Sequence, residues 1–270
     1  MRTSMSRAER MLLLATSAGL LLALFGPSLA PLAHAHDFAD QRALWGVPYA
    51  LDVLSNLPFA LLGLLGGWTL LASGRGVASP VQRALAGLFF AGLVVTAAGS
   101  SWYHLHADDA GLAVDRYAMG VAFAGLLGLA VATRVSDRAG AALAGALLLL
   151  APLAAHTAFA GNLAPWVVVQ FGGMLVLLAL VFAPTRPGAV TIRLGWVLVA
   201  YGVAKLTEMG DHVIFEATAE LLAGHTVKHL LAAAAAIPVL APFLAAARSG
   251  QNGAQSSAGT HAAVAGPRQA

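Results

Sequence analysis

The chain has 270 residues, 59% of them hydrophobic and 10% charged, with a mean hydropathy of +0.78. Soluble domains carry about 25% charged residues, so the composition argues against a water-soluble globule. There is no cysteine, which removes disulfides, thiolate ligands and a cysteine nucleophile, and the 15 Lys and Arg behind the net charge of +3 mostly stand singly in short loops, a pattern of membrane topology and not of a nucleic-acid face.

The N-terminus reads MRTSMSRAER and then MLLLATSAGLLLALFGPSLAPLAHA. A basic start, an apolar run and a terminal Ala-His-Ala fit a secretory signal peptide, and the run is also long enough to remain as an uncleaved anchor. Both readings of residues 1–35 stay open, and in either one residue 36 onward emerges outside. Seven further apolar segments follow, near 49–71, 82–105, 113–133, 139–159, 164–183, 192–215 and 223–247. They predict an all-α integral membrane protein, a seven-transmembrane bundle over residues 36–248. Residues 249–270 are small and polar and read as a disordered cytoplasmic tail.

The loop charges give this bundle an orientation. Arg75, Arg134, Arg138, Arg186 and Arg248 all fall on one side, which the positive-inside rule makes cytoplasmic. Asp108, Asp109, Glu216 and Glu220 fall on the other, where Arg42 and Arg116 are the exceptions. The Ala- and Gly-rich composition suggests a bacterial inner membrane. Polar residues of four segments then meet near the outer leaflet: SSWYHLH ends segment 2, AVDRY opens segment 3, KLTEMGDH ends segment 6 and GHTVKH opens segment 7. Ionisable groups in spans are costly and face a cavity or one another.

His225 and His229 stand four apart, so both imidazoles of one helix face can reach a single metal. Ser100 and His104 repeat that spacing on segment 2. Three histidines leave a fourth zinc position open for water, the arrangement of hydrolytic zinc sites. Asp115 opens segment 3 and can face the same space, where a carboxylate could accept a proton from water. His106 is an alternative to His104, but it lies farther into the loop and lacks a serine one turn before it.

At these residues the sequence resembles the alkaline ceramidase family, part of a seven-span superfamily of presumed hydrolases that also holds the progestin and adipoQ receptors. The resemblance covers roughly residues 37 to 245 and rests on DVLSNLPF, GSSWYH followed by Asp115, the aspartate of EMGDHVIF, and GHTVKH. It implies zinc held by His104, His225 and His229, with Ser100 and Asp115 beside the zinc-bound water. It also implies cleavage of the amide bond of a ceramide-like membrane lipid to a long-chain base and a fatty acid. Nothing in the sequence calls for an obligatory protein partner. Eukaryotic members carry a calcium-binding acidic segment before the first span. Here that region offers Asp37, Asp40 and Asp52, short of the family's acidic set and of the six or more oxygens calcium takes, which argues against Ca2+ and against a strict ceramide preference.

The remaining polar residues have two readings. Lys205, Glu208 and Asp211 lie near one face of segment 6 and either orient a ligand imidazole or, with Lys228, pair segment 6 to segment 7; Asp211 is the stronger functional choice. His156 reads as an interhelical hydrogen-bonder, Ser55 and Asn56 as helix bridges, and Trp45, Trp102, Tyr103 and Trp166 as interfacial anchors. Retention of Ser100 and Asp115 beside the ligands favours a hydrolase. The alternative is a non-catalytic receptor or metal-binding sensor on the same scaffold.

Overall fold

Seven helical stretches among the described residues are long and apolar enough to cross a membrane, and the chain is a multi-pass membrane protein. The computed structural model describes residues 4–249 apart from Leu32 and His34, so the expected tail beyond Ser249, with His261, lies outside the described residues. The seven are α1 (Arg7–Phe25), the pair α2 (Ala50–Leu54) and α3 (Leu57–Ala72), α4 (Pro80–Leu105), α5 (Asp109–Arg134), α6 with its 3-10 extension (Asp137–Ala160), α7 (Ala164–Val181), and a last stretch, Gly224–Ser249, that begins with α10 (Gly224–Ala234). Among the described residues no strand forms beyond an isolated bridge between Leu44 and Val47.

Three of the expected spans are interrupted: the last turns at Ala235 and Ala236, just before Pro238, and the other two break as follows. Pro58 has no N–H to continue a hydrogen-bond ladder, so the first span stops at Leu54 and restarts with proline inside the first turn of α3. The segment predicted as one helix over 192–215 is two, α8 (Leu194–Met209) and α9 (Asp211–Ala217). Sixteen residues of α8 rise only about 24 Å, short of the roughly 30 Å hydrocarbon thickness. Gly210, a poor helix former, marks the break, and Asp211 beyond it turns its carboxylate to backbone N–H groups of other segments.

The core of the bundle is α4 against α5. Small residues allow the approach: a Cβ at Gly92 would lie 2.5 Å from the Ala122 nitrogen, and one at Gly125 would lie 2.3 Å from the Phe89 nitrogen. The arginine-bearing end is tied by side chains. Arg186 donates to the Ala132 carbonyl (2.6 Å) and the Asp137 carboxylate (3.0 Å), Arg134 bonds Thr185, and Gln82 bridges Asp137 and the Val190 N–H. Helix α1 runs beside α7, with many of its large apolar side chains exposed as on a lipid-facing helix. Trp166 and Tyr103, expected at the interface, are instead buried, Trp166 against Phe123 and Tyr103 under the chain at Ala35 and His36.

Candidate metal centre and cavity

At the other end of the bundle α4 delivers His104 and α10 delivers His225 and His229. The ligating atoms of the three imidazoles lie within 4.8 Å of one another, and all three residues are buried. The ring centroids stand 4.9–5.1 Å apart, at steep angles. Both nitrogens of His104 are buried without a hydrogen-bond partner among the described residues. A buried polar atom left unpaired costs on the order of 1–3 kcal/mol, so two on one ring call for a ligand. His106 lies outside the cluster, stacked on Trp102 with 4.0 Å between centroids, and His156 bonds the Tyr117 hydroxyl across α5 and α6 at 3.1 Å.

Each histidine of α10 is held by something outside its own helix. His229 Nδ1 lies 2.8 Å from Ser55 Oγ, whose hydroxyl donates to the Asp52 carbonyl (2.9 Å). With Nδ1 as the donor, the lone pair of Nε2 faces the cluster, where Ser100 Oγ is 3.4 Å away. Ser55 comes from the interrupted first span, where its type and place alone suggest only a bridge between helices. Asp211 does not touch an imidazole. Its two oxygens accept from the backbone N–H groups of His225 (2.7 Å) and Ala39 (3.0 Å), so it caps the start of α10 and fixes the segment before the first span. Gly224 makes this possible: a Cβ there would meet the Thr207 oxygen at 2.2 Å.

Lys205, Glu208 and Lys228 form one chain of contacts. Glu208 pairs with Lys205 on its own helix and with Lys228 of α10 at 3.3 Å, and Lys228 Nζ lies 2.8 Å from His225 Nε2. The cluster thus ties α8 to α10 and also reaches a candidate ligand, so the two readings of these residues merge.

The segment before the first span seals the outside of the cluster. Phe38 is 3% exposed and packs 4.7 Å, centroid to centroid, from both His104 and His225. Asp37, Asp40 and Asp52 go to separate partners: Asp37 lies near His212, Asp40 pairs with Arg42 at 2.7 Å, and Asp52 accepts from Thr226 at 2.6 Å. Among the described residues the three histidines are the one group arranged to hold a metal ion. Burial pushes the Asp40 carboxyl up, but the hydrogen bonds and charge of Arg42 outweigh it and hold the group below its ordinary value.

A cavity of about 980 Å³ opens from the cluster into the bundle. Ser100, Asp115, His225 and His229 stand on its wall, and apolar side chains such as Phe123, Leu127, Met174 and Leu177 line its depth. Ser100 is 3% and Asp115 7% exposed, and the Ser100 hydroxyl also interacts with the Asp115 carboxylate. Space of this size and lining suits an apolar chain with a polar end at the histidines.

No protein-family model, no curated protein and no solved structure matches the chain.

Proposed function

We propose that the protein is a membrane-embedded, zinc-dependent hydrolase that cleaves the amide bond of a lipid, the activity implied by its resemblance to the alkaline ceramidases. The reading is supported by one conjunction: three buried imidazoles meet Ser100 and Asp115 on the wall of a large, mostly apolar cavity. The donor set fits the metal. Three neutral imidazoles suit zinc and leave a fourth position open, and His104 offers a ring with no other partner among the described residues. Zinc bound there would supply Lewis acidity and activate a water near neutral pH.

The residues of the chain do the rest. The apolar wall binds the acyl chain and brings the amide to the polar end. The Ser100 hydroxyl donates to the carbonyl oxygen as negative charge develops on it. The Asp115 carboxylate accepts a proton from the attacking water and returns it to the leaving nitrogen. Phe38 keeps bulk water from the histidines on the outer side, so that protons pass through Asp115.

The test separates ligands from chemistry. Purified protein should hold about one zinc per chain, and His225→Ala and His229→Ala should each lose most of it. Asp115→Asn should keep zinc while turnover of a lipid amide falls on the order of 10²–10⁴-fold. Ser100→Ala should cost on the order of 10²–10³-fold, again with zinc retained. A parent that holds zinc but turns over no lipid amide or ester, across a broad panel and into alkaline pH, would make the receptor or sensor the better reading.

A further inference from the structure

Two arginines break the charge asymmetry of the loops. Arg42 is absorbed by Asp40. Arg116 is not: it stands one residue after Asp115 on α5, lines the cavity, and is held over the ring of Trp166 at 5.7 Å. That contact uses the π face and none of the guanidinium N–H donors. Among the described residues Arg116 forms no hydrogen bond and no ion pair, and Asp115, Glu208 and Asp109 act on it only through space. None of the carboxylates on the cavity wall is ion-paired with Arg116, though Asp115 favours its charge through space, and each interacts with another group. Glu208 lies between Lys205 and Lys228, Asp211 accepts two backbone N–H groups, Asp37 faces His212, and Asp115 interacts with Ser100.

A cation at membrane depth is costly without a counter-charge, and a guanidinium is shaped to bind a carboxylate or phosphate through two parallel hydrogen bonds. We infer that the cavity takes an amphiphile whose head carries an anionic group, a carboxylate or a phosphate, bound by Arg116. The substrate is then an acidic lipid amide and not a neutral one. That the lipid is an amide rests on the proposed hydrolase reading; the charge of its head does not. Because Arg116 and Asp115 both line the cavity near the start of α5 and interact through space, the anionic group sits close to the scissile bond, which calls for a short head.

The experiment uses full-length protein, stripped of zinc with a chelator, in a neutral detergent. Binding of N-palmitoylglycine is compared with that of N-palmitoylethanolamine, which has the same chain and amide but no charge. Wild type should bind the acid about tenfold or more tightly. Arg116→Gln should bring the two together, and Arg116→Lys, which keeps the charge, should restore part of the difference. Equal binding by wild type overturns the inference, as does a preference that survives in Arg116→Gln. Should the glutamine variant not fold, Arg116→Lys takes its place: it should keep only part of the difference, and an undiminished preference overturns the inference. If inorganic phosphate competes as well as the acylated glycine, the site reads a free anion, and the lipid assignment falls. Turnover is then measured after zinc is restored. A charge preference in binding without any turnover removes the hydrolase reading and leaves the anion site. Turnover confined to neutral amides removes the anion site and leaves the hydrolase.

Discussion

Ser55 shows how much of the centre depends on single hydroxyls. It is the contact that sets which nitrogen of His229 faces the cluster. Ser55→Ala removes the 2.8 Å partner of Nδ1 and leaves the ring the Asp52 backbone, the longer Ser100 contact at 3.4 Å and packing against residues such as Phe59, 6.3 Å away between centroids. Loss of such a partner weakens metal binding about 10–100-fold, and zinc competition with a calibrated chelator reads it directly. Unchanged affinity would mean that these remaining contacts orient the ring. His104, His225 and His229 were legible in the sequence because one helical turn separates each pair of polar residues, Ser100 with His104 and His225 with His229. Ser55 was not, because its contact spans 174 positions and depends on the interruption at Pro58. Phe38 was missed for the same reason. Tyr103 and Trp166 were misread because an aromatic residue at a span end looks the same in sequence whether it faces lipid or protein.

At the scale of elements, the centre depends on how α10 starts. Its first residue, Gly224, packs against the break between α8 and α9, and a Cβ there would lie 2.8 Å from the Asp211 Cα. Gly224→Ala must therefore push α10 away from Asp211 and lengthen the bond to the His225 N–H. The expected outcome is a lower melting temperature together with lost zinc, whereas an equally tight substitution far from the centre, such as Gly125→Ala, should lower stability and spare the metal site. Equal zinc retention in the two variants would detach α10 from the site. The segment that Asp211 also holds has its own acid sensitivity. Asp40 titrates below its ordinary value, so its pairing contributes stability above the unfolded carboxylate pKa of about 4 and loses it as pH falls through the folded value. Protease sensitivity of the segment around Asp40 should rise in that acidic window, and Asp40→Asn should show the same sensitivity at neutral pH. Hydropathy located the elements because lipid-facing surfaces are uniformly apolar. It could not show the break at Gly210, which is set by hydrogen bonds to distant backbone groups.

For the whole molecule, the open sequence question was the fate of residues 1–35. Helix α1 is fastened at both ends. Near its start the Glu9 carboxylate, 7% exposed, accepts from Ser136 (2.6 Å) and Arg138 (2.8 Å) while closing a capping box with Ser6. Beyond its end the Leu29 carbonyl accepts from the Leu163 N–H (2.7 Å), and Leu29 and Ala30 stand on the cavity wall. Removing residues 1–35 would strip Ser136 and Arg138 of a partner and open one side of the cavity. A signal sequence needs none of these contacts, so the expected outcome is a purified chain whose intact mass includes α1. A mass beginning near residue 36 would show that the signal reading was right. If α1 stays, its start lies with the arginine-bearing end and its finish with the histidines, so one labelling experiment orients everything at once. The chain has no cysteine, and single cysteines can be placed at Gly76, where a Cβ meets open space, and at exposed Thr191 on the arginine end, or at exposed Asp109 and Leu221 on the histidine end. An impermeant thiol reagent on intact cells should label the second pair and spare the first, because arginine-rich loops stay in the cytoplasm. The opposite pattern would invert the bundle, turn the cavity's polar end to the inner leaflet, and change which lipids can reach Arg116.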